Sequence, residues 1–252
     1  MRFILQSINF LKRYAFKNPI YIIAYSLVFW KKGFNFDTHL LSEEELTKEI
    51  RSGKSLIRIG DGEINLMLGL RNHYQDFSPK LQKAMFTIVR GYTKDSSYIL
   101  AVPRFINCTN DELHAMEKFN VWLPLKVMFG LYFDVKLSYL DAHSFYYDKY
   151  FERVVGRAIN EKAIIFITNR KTIEKQKGKL PWKSVAFIEV PSEEALPYYN
   201  LIKRNIDEAI LFLGRENVVL LFAMGPVGKE LMYNYSYKGI QVLDIGKVAE
   251  VM

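Results

Sequence analysis

Short apolar runs recur along the chain from about residue 56, and each ends at a turn or a polar residue. Runs of this length, rich in β-branched residues, are typical of buried strands, and the segments between them place apolar residues at helical spacing. The pattern predicts strands at 56–59, 97–102, 137–140, 163–167, 185–190, 218–223 and 240–243. Because strands that alternate with helices favour a parallel sheet with right-handed crossovers, we expect an α/β, Rossmann-like domain with a mostly parallel sheet of about seven strands flanked by helices.

Capping signals predict where the helices begin. Ser42 and Glu45 form a capping box that opens a helix ended by Gly53, and the Ser78-Pro79 pair opens another. The remaining apolar spacing predicts helices at 64–70, from 109 or 110 to 127 with a kink at Pro124, and at 193–213. No linker or internal repeat interrupts this alternation, so residues 41–252 are expected to form one domain.

Two carboxylates follow the first predicted strand. Asp61 and Glu63 are separated only by Gly62 and precede a helix expected to begin at Ile64. Ligands bind an open parallel sheet at the carboxyl ends of its strands, closely spaced carboxylates suit a hard divalent cation, and the amides of a helix start suit a phosphate. The same residues are also common in ordinary tight turns, so a purely structural role stays open at this point.

Polar residues follow the other predicted strands as well. Since parallel strand ends converge at one edge of a sheet, these residues are candidates for the same site: Arg104, Asn169, Arg170, Ser192, Gly225, Asp244 and Lys247. The sequence holds no Walker A loop, no Ser-His-Asp signature and no histidine pair at metal-ligand spacing. The set therefore favours phosphate and metal binding over nucleophilic hydrolysis.

The net charge of +8 is concentrated at the start of the chain. Residues 1–36 contribute six basic and no acidic residues, interleaved with ten aromatic residues, whereas the remainder is nearly neutral. A nucleic-acid-binding domain would carry a basic face on its folded body, so no nucleic-acid partner is expected. Basic and aromatic residues together suit an anionic membrane surface, and we expect residues 1–40 to form a helical arm that lies on a membrane or packs on the protein itself.

Location follows from the apolar runs and the cysteine count. The apolar run at 20–30 is about half of what a bilayer-spanning helix needs, and no signal-peptide cleavage pattern follows it. Cys108 is the single cysteine, which excludes an internal disulfide and fits a reducing compartment. We expect a cytoplasmic protein that could lie peripherally on the inner face of a bacterial membrane, in an oligomeric state that the sequence leaves open.

Two separated motifs resemble a known family. The stretch from Ile57 to Glu63, with Gly69 and Tyr74-Gln75 after it, is similar to the opening of the bacterial GT-D-type glycosyltransferases, first catalogued as a domain of unknown function. Near the other end, Gly225-Pro226 and the segment 239–246 resemble the family's Gly-Pro helix and its Asp-Ile-Gly segment. The resemblance covers about residues 42–250.

This resemblance implies a metal-dependent transfer of a hexose from a nucleotide-sugar, with UDP the expected nucleotide, to a cell-surface glycan precursor that is lipid-linked or protein-linked. It carries Asp61 and Glu63 over as the metal and diphosphate residues, with Mn2+ or Mg2+ as cofactor. Asp244 and Lys247 join them as catalytic candidates. The expected nucleotide-sugar-binding residues are Arg58, Gly60, Gly62, Gln75, Arg104, Asn169, Arg170, Gly225 and Pro226.

This chain also departs from the family pattern. Lys247 stands where relatives usually carry a histidine, and residues 143–147 replace a common Arg-Pro-Tyr, so the substrate pocket is expected to differ. The general base stays open among Asp244, His143 and Asp141. Two alternatives remain at this point: a Rossmann-like methyltransferase that uses the strand-end Asp61 and Gly62 to bind S-adenosylmethionine, and a non-catalytic binding protein of the membrane surface.

Overall fold

A single parallel sheet organises the protein. The computed structural model describes residues 34–146, 150–182 and 184–250, together with the isolated positions 23 and 27. Its strands are Ser55–Arg58 (β1), Tyr98–Val102 (β2), Leu140–Asp141 (β3), Ala163–Thr168 (β4), Val185–Glu189 (β5), Val218–Ala223 (β6) and Gln241–Asp244 (β7). All pairings among these strands are parallel, in the order β3-β2-β1-β7-β6-β4-β5, which confirms the predicted fold class.

The sheet is buried on both faces because side chains alternate along its strands. Leu56 packs into one apolar cluster and its neighbour Ile57 into the other, and both are fully buried. The last strand lies at the centre, where β7 pairs with β6 over four residues and with β1 at Leu56 and Leu243. The carboxyl ends of β1, β7 and β6 therefore lie side by side.

Helices cover both faces of the sheet. In the described part of the chain the α-helices are Glu43–Arg51 (α1), Asp61–Met67 (α2), Pro79–Arg90 (α3), Asn110–Ala115 (α4), Phe119–Tyr132 (α5), Arg170–Gln176 (α6), Tyr199–Leu213 (α7) and Pro226–Tyr237 (α8). Ser42 caps α1 in the predicted capping box. A π-helical turn at Phe151–Gly156 was not predicted.

Three helix predictions are wrong in their bounds. α2 begins at Asp61 rather than Ile64, because the Glu63 carboxylate reaches back to the amide of the N-cap residue Gly60. The long helix expected from 109 to 127 is two helices, since Glu117 has a φ of 56° that ends α4. The helix expected from 193 starts at Tyr199, after a turn in which Glu194 has a φ of 48°.

The end of the predicted N-terminal arm packs on the domain. Residues 34–39 form no helix, and Phe36 lies edge-to-face against Phe129 of α5. The buried Lys126 ammonium donates to the carbonyls of Phe34 and Cys108 at 2.6 and 2.7 Å, and to Asn110 Oδ1 at 3.0 Å. Apart from positions 23 and 27, the arm before residue 34 lies outside the described residues. Among the helices that the structure describes, none combines the length and the hydropathy needed to cross a bilayer.

Candidate active site

A cleft opens at the carboxyl edge of the sheet, where the central strands end. Its volume is about 230 Å3, and it is lined by the ends of β1, β4, β6 and β7 and by the starts of α2, α6 and α8. The predicted residues that line it are Arg58, Gly60, Asp61, Gly62, Glu63, Asn169, Ser192, Gly225, Pro226 and Asp244. Residues from both ends of the sequence therefore share one cleft, as parallel topology requires.

Asp61 and Glu63 enter the cleft from the first turn of α2 in different environments. Glu63 Oε2 accepts from the Gly60 amide at 2.9 Å, and its side chain is 13% exposed. Asp61 is exposed, and within the described part of the chain no side chain pairs with its carboxylate. The two carboxylates are thus unequal: one is held by the fold and the other is open to a ligand.

A buried lysine that the sequence reasoning missed connects the motif at β1 with the motif at β7. Lys229 of α8 is 5% exposed and forms an ion pair with Asp244, which is 1% exposed. The Lys229 ammonium also lies 3.8 Å from Glu63 Oε1. Asp244 Oδ2 additionally accepts from the Arg58 amide at 3.1 Å. One ammonium therefore joins the carboxylates of α2 and β7, and Asp244 is held as an anchor of this network.

Two loops that close the wall of the cleft are joined by a glutamate. Asn72 Oδ1 accepts from the amides of Tyr74 and Gln75, each at 2.7 Å, in an Asx-type turn. Glu194 then accepts from the Gln75 side chain at 2.6 Å and from the Asp76 amide at 2.7 Å. A Cβ at Gly62 would lie 3.3 Å from Nδ2 of the Asn72 side chain, so the glycine lets this loop approach α2 closely.

Not every predicted binding residue reaches the cleft. Gln75 is 4% exposed and joins the two loops, so it shapes the wall rather than lining it. Arg104 and Arg170 lie outside the lining, and Arg170 pairs with Glu174 on the surface of α6. Asn169 lines the cleft and also caps α6 through the Thr172 amide at 3.0 Å. The Lys247 side chain is not among the described parts of the structure, so its predicted role stays a prediction.

Asp141 and His143 lie at the end of the edge strand β3. Burial raises the pKa of Asp141, but hydrogen bonds from His143 and from the Arg104 amide outweigh it and hold the pKa below its usual value. His143 Nδ1 is 3.5 Å from Asp141 Oδ1, and the imidazole lies edge-on to Trp122. Aromatic rings pack against His143. Neither Asp141 nor His143 lines the cleft, although Ala142 between them does.

The residues present fit a divalent cation that the substrate helps to hold. Within the described residues there is no group of three or more His, Cys, Asp or Glu side chains placed to hold a metal ion alone. Mg2+ and similar ions, however, are commonly held by one or two carboxylates together with substrate phosphates and water. Asp61 and the Oε1 oxygen of Glu63 suit that kind of partial site.

Comparison with known proteins identifies the family. A sequence model of the family described as "Glycosyltransferase GT-D fold" matches residues 56–250, most of the chain. The chain belongs to the GT-D glycosyltransferase family. This confirms the resemblance seen in the two motifs, and it confirms the expectation of a glycosyltransferase at the level of the family. The match begins at β1 and ends after β7, so it spans every strand of the sheet.

One curated relative of this chain is a protein named glycosyltransferase GlyD, from Streptococcus pneumoniae serotype 4 (strain ATCC BAA-334 / TIGR4). It is 27% identical over 221 residues, which are 82% of this chain and 26% of GlyD. The chain thus spans about a quarter of the length of the curated relative it matches.

Solved structures share the GT-D fold. A domain of unknown function 1792 described as having a distinct glycosyltransferase fold superposes with a TM-score of 0.69 at 21% identity, covering 91% of this chain and 83% of that one. A new glycosyltransferase of the same domain type, from Streptococcus sanguinis, gives 0.68 at 21% identity, covering 84% and 82%. These likenesses support the fold of the sheet and its helices.

Proposed function

We propose that this GT-D chain transfers a hexose from a nucleoside-diphosphate sugar, with UDP as the expected nucleotide, to a glycan acceptor. The observation that carries the proposal is the cleft at the carboxyl edge of the sheet, in which Asp61 and Glu63 lie beside the start of the Gly-Pro helix α8. Amides at the start of a helix of this length favour an anionic ligand, which supports a diphosphate position beside the start of α8.

The charge of the cleft argues for a cation that accompanies the diphosphate. Among the described lining residues, three carboxylates face two cationic groups, and Lys229 already pairs with Asp244. The cleft is therefore net negative before an anionic donor enters it. A divalent ion, Mg2+ or Mn2+, held by Asp61 and Glu63 would neutralise charge that builds on the departing diphosphate.

The chain's own residues position the donor. Lys229 holds Glu63 and Asp244 in place, and the Gly60 amide fixes the second Glu63 oxygen. Asp61 stays open toward the ligand. The loop carrying Asn72 and Tyr74 forms part of the wall of the cleft.

Binding and turnover of UDP-glucose test this proposal. The variant Asp61→Asn/Glu63→Gln keeps the shape of both side chains and an oxygen for the Gly60 amide, but it removes both charges. Calorimetry with Mn2+ present should show donor binding to the wild type and a large loss in this variant, with sugar release reduced at least about a hundredfold. A matched control, Asp95→Asn/Glu161→Gln, changes two exposed carboxylates outside the cleft. Equal turnover in the two variants would contradict the assignment.

The arm and the acceptor belong to the same proposal. We infer that the basic residues of segment 1–36 bring the enzyme to an anionic membrane surface, on the cytoplasmic side, where a lipid-linked glycan precursor would be presented. The support is the charge count of that segment and its interleaved aromatic residues.

A further inference from the structure

A second cavity lies beside the cleft, in the groove between α2 and α5. Its volume is about 160 Å3, and its lining is Asp61, Ile64, Asn65, Asn120, Val121, Pro124 and Leu125. Asp61 lines both this groove and the cleft, so the two cavities are neighbours at this residue. We propose that the groove is the acceptor subsite and holds one neutral sugar ring next to the donor. This inference rests on the proposed function.

The chemistry of the lining suits a sugar. Asn65 and Asn120 present side-chain amides, which both donate to and accept from hydroxyl groups. Val121 also lines the groove and is exposed, so it offers an aliphatic surface to the C–H face of a pyranose, with the buried Ile64, Pro124 and Leu125 beneath. This combination of amides around an aliphatic surface binds a ring that is polar at its rim and apolar on its face.

The charge of the groove separates it from the donor cleft. Asp61 is the one charged residue in its described lining, and no lysine or arginine is present there to hold a phosphate. A diphosphate or a phosphorylated lipid head therefore belongs in the cleft or beyond the groove, whereas the groove takes an uncharged ring. The groove has the volume that about five water molecules occupy in liquid water. This volume fits one sugar ring rather than a longer glycan.

The groove is accessible because part of the first turn of α5 is exposed to solvent, whereas the rest of its length is mostly buried. Residues from Trp122 to Phe129 are buried, but Asn120 and Val121 in the first turn are exposed, and Val121 is 51% exposed. A larger side chain at Val121 would therefore fill the groove without disturbing the core. Val135 is also exposed, at 38%, and lies outside both cavities, so it offers a matched control.

Nuclear magnetic resonance of the full-length chain tests the subsite. Protein saturated with UDP and Mg2+, a diamagnetic ion that leaves nearby signals sharp, is titrated with methyl α- and β-hexopyranosides, and the side-chain amides of Asn65 and Asn120 are followed. We expect saturable chemical-shift changes with a millimolar dissociation constant in the wild type and in the control variant Val135→Phe. In the test variant Val121→Phe we expect sugar binding to be at least tenfold weaker. Asn65→Ala should weaken binding as well.

Two results would overturn the inference: no saturable shift in the wild type, or the same shift in Val121→Phe as in Val135→Phe. Failure of the proposed function looks different. In that case UDP would leave the backbone amides of Gly60 and Gly225 unshifted, while the sugar titration repeated without UDP would still report on the groove.

Discussion

Replacing Lys229 with methionine should destabilise the protein strongly, since it removes the only ammonium paired with Asp244 among the described residues. Methionine keeps the length and the apolar stem of the side chain, so the loss comes from the charge. Asp244 is 1% exposed and, among the described residues, would keep only the Arg58 amide as a partner. Removing one partner of a buried ion pair costs about 3–5 kcal/mol, which for a chain of this size lowers Tm by about 6–20 °C.

The assay is urea unfolding at neutral pH, followed by circular dichroism and extrapolated linearly to water. Lys203→Met is the matched control, because Lys203 pairs with Asp207 at 2.6 Å but both side chains are about 40% exposed. An exposed pair of this kind contributes less than about 1 kcal/mol. The double variant Lys229→Met/Asp244→Asn removes both charges and should recover more than half of the lost stability.

This prediction fails if Lys229→Met costs no more stability than Lys203→Met, or if the double variant is no more stable than Lys229→Met alone. Either result would mean that the ammonium and the carboxylate do not depend on each other. The link between α2 and β7 would then come from backbone packing alone and not from the Lys229 ammonium.

Two further predictions concern the N-terminal arm and Lys126, the buried lysine that holds the end of that arm at Phe34. Burial lowers the pKa of Lys126 to about 8, so between that value and 10.5 the unfolded chain binds more protons than the folded chain, and wild-type stability rises with pH. The stability lost in Lys126→Met, measured by urea titration, should therefore be larger near pH 10 than near pH 7, and an equal loss contradicts this. For the arm, glutamine at its basic positions should weaken binding to anionic vesicles in a sedimentation assay; even two charges at the surface, at about 1 kcal/mol each, give about thirtyfold. The changed residues are Lys12, Arg13, Lys17, Lys31 and Lys32, and the control replaces five exposed lysines of the body, whose loss should have little effect: Lys83, Lys94, Lys118, Lys136 and Lys171.

Most of the sheet could be predicted because its strands are short apolar runs bounded by polar residues, and the predicted strand at 218–223 matches β6 residue for residue. The strand predicted at 137–140 is wrong in its bounds, since β3 covers Leu140–Asp141 and shares one residue with it. The helix boundaries were harder. Glu117 and Glu194 adopt positive φ angles that an L-residue rarely takes, and nothing in the local sequence marks either position.

The site could be predicted only as far as strand ends mark it. Asp61, Gly225 and Asp244 follow strands and meet in the cleft, whereas Lys229 lies inside a helix and was missed. Its signal is a single charge among the buried positions Val227 and Leu231 of α8, which a search restricted to loops does not see. Gln75 shows the opposite error: it belongs to a family motif, yet its side chain is used to hold a loop.

The central position of β7 also has a consequence for biosynthesis. During translation β1 emerges from the ribosome long before residues 241–244, and β6 precedes them as well, so each has one unpaired edge until β7 inserts between them. Exposed edges of this kind are templates for aggregation, and this risk lasts until β7 has paired with both neighbours. The same insertion delivers Asp244 to Lys229, so the cleft acquires its charge network only when the two halves of the sheet are joined.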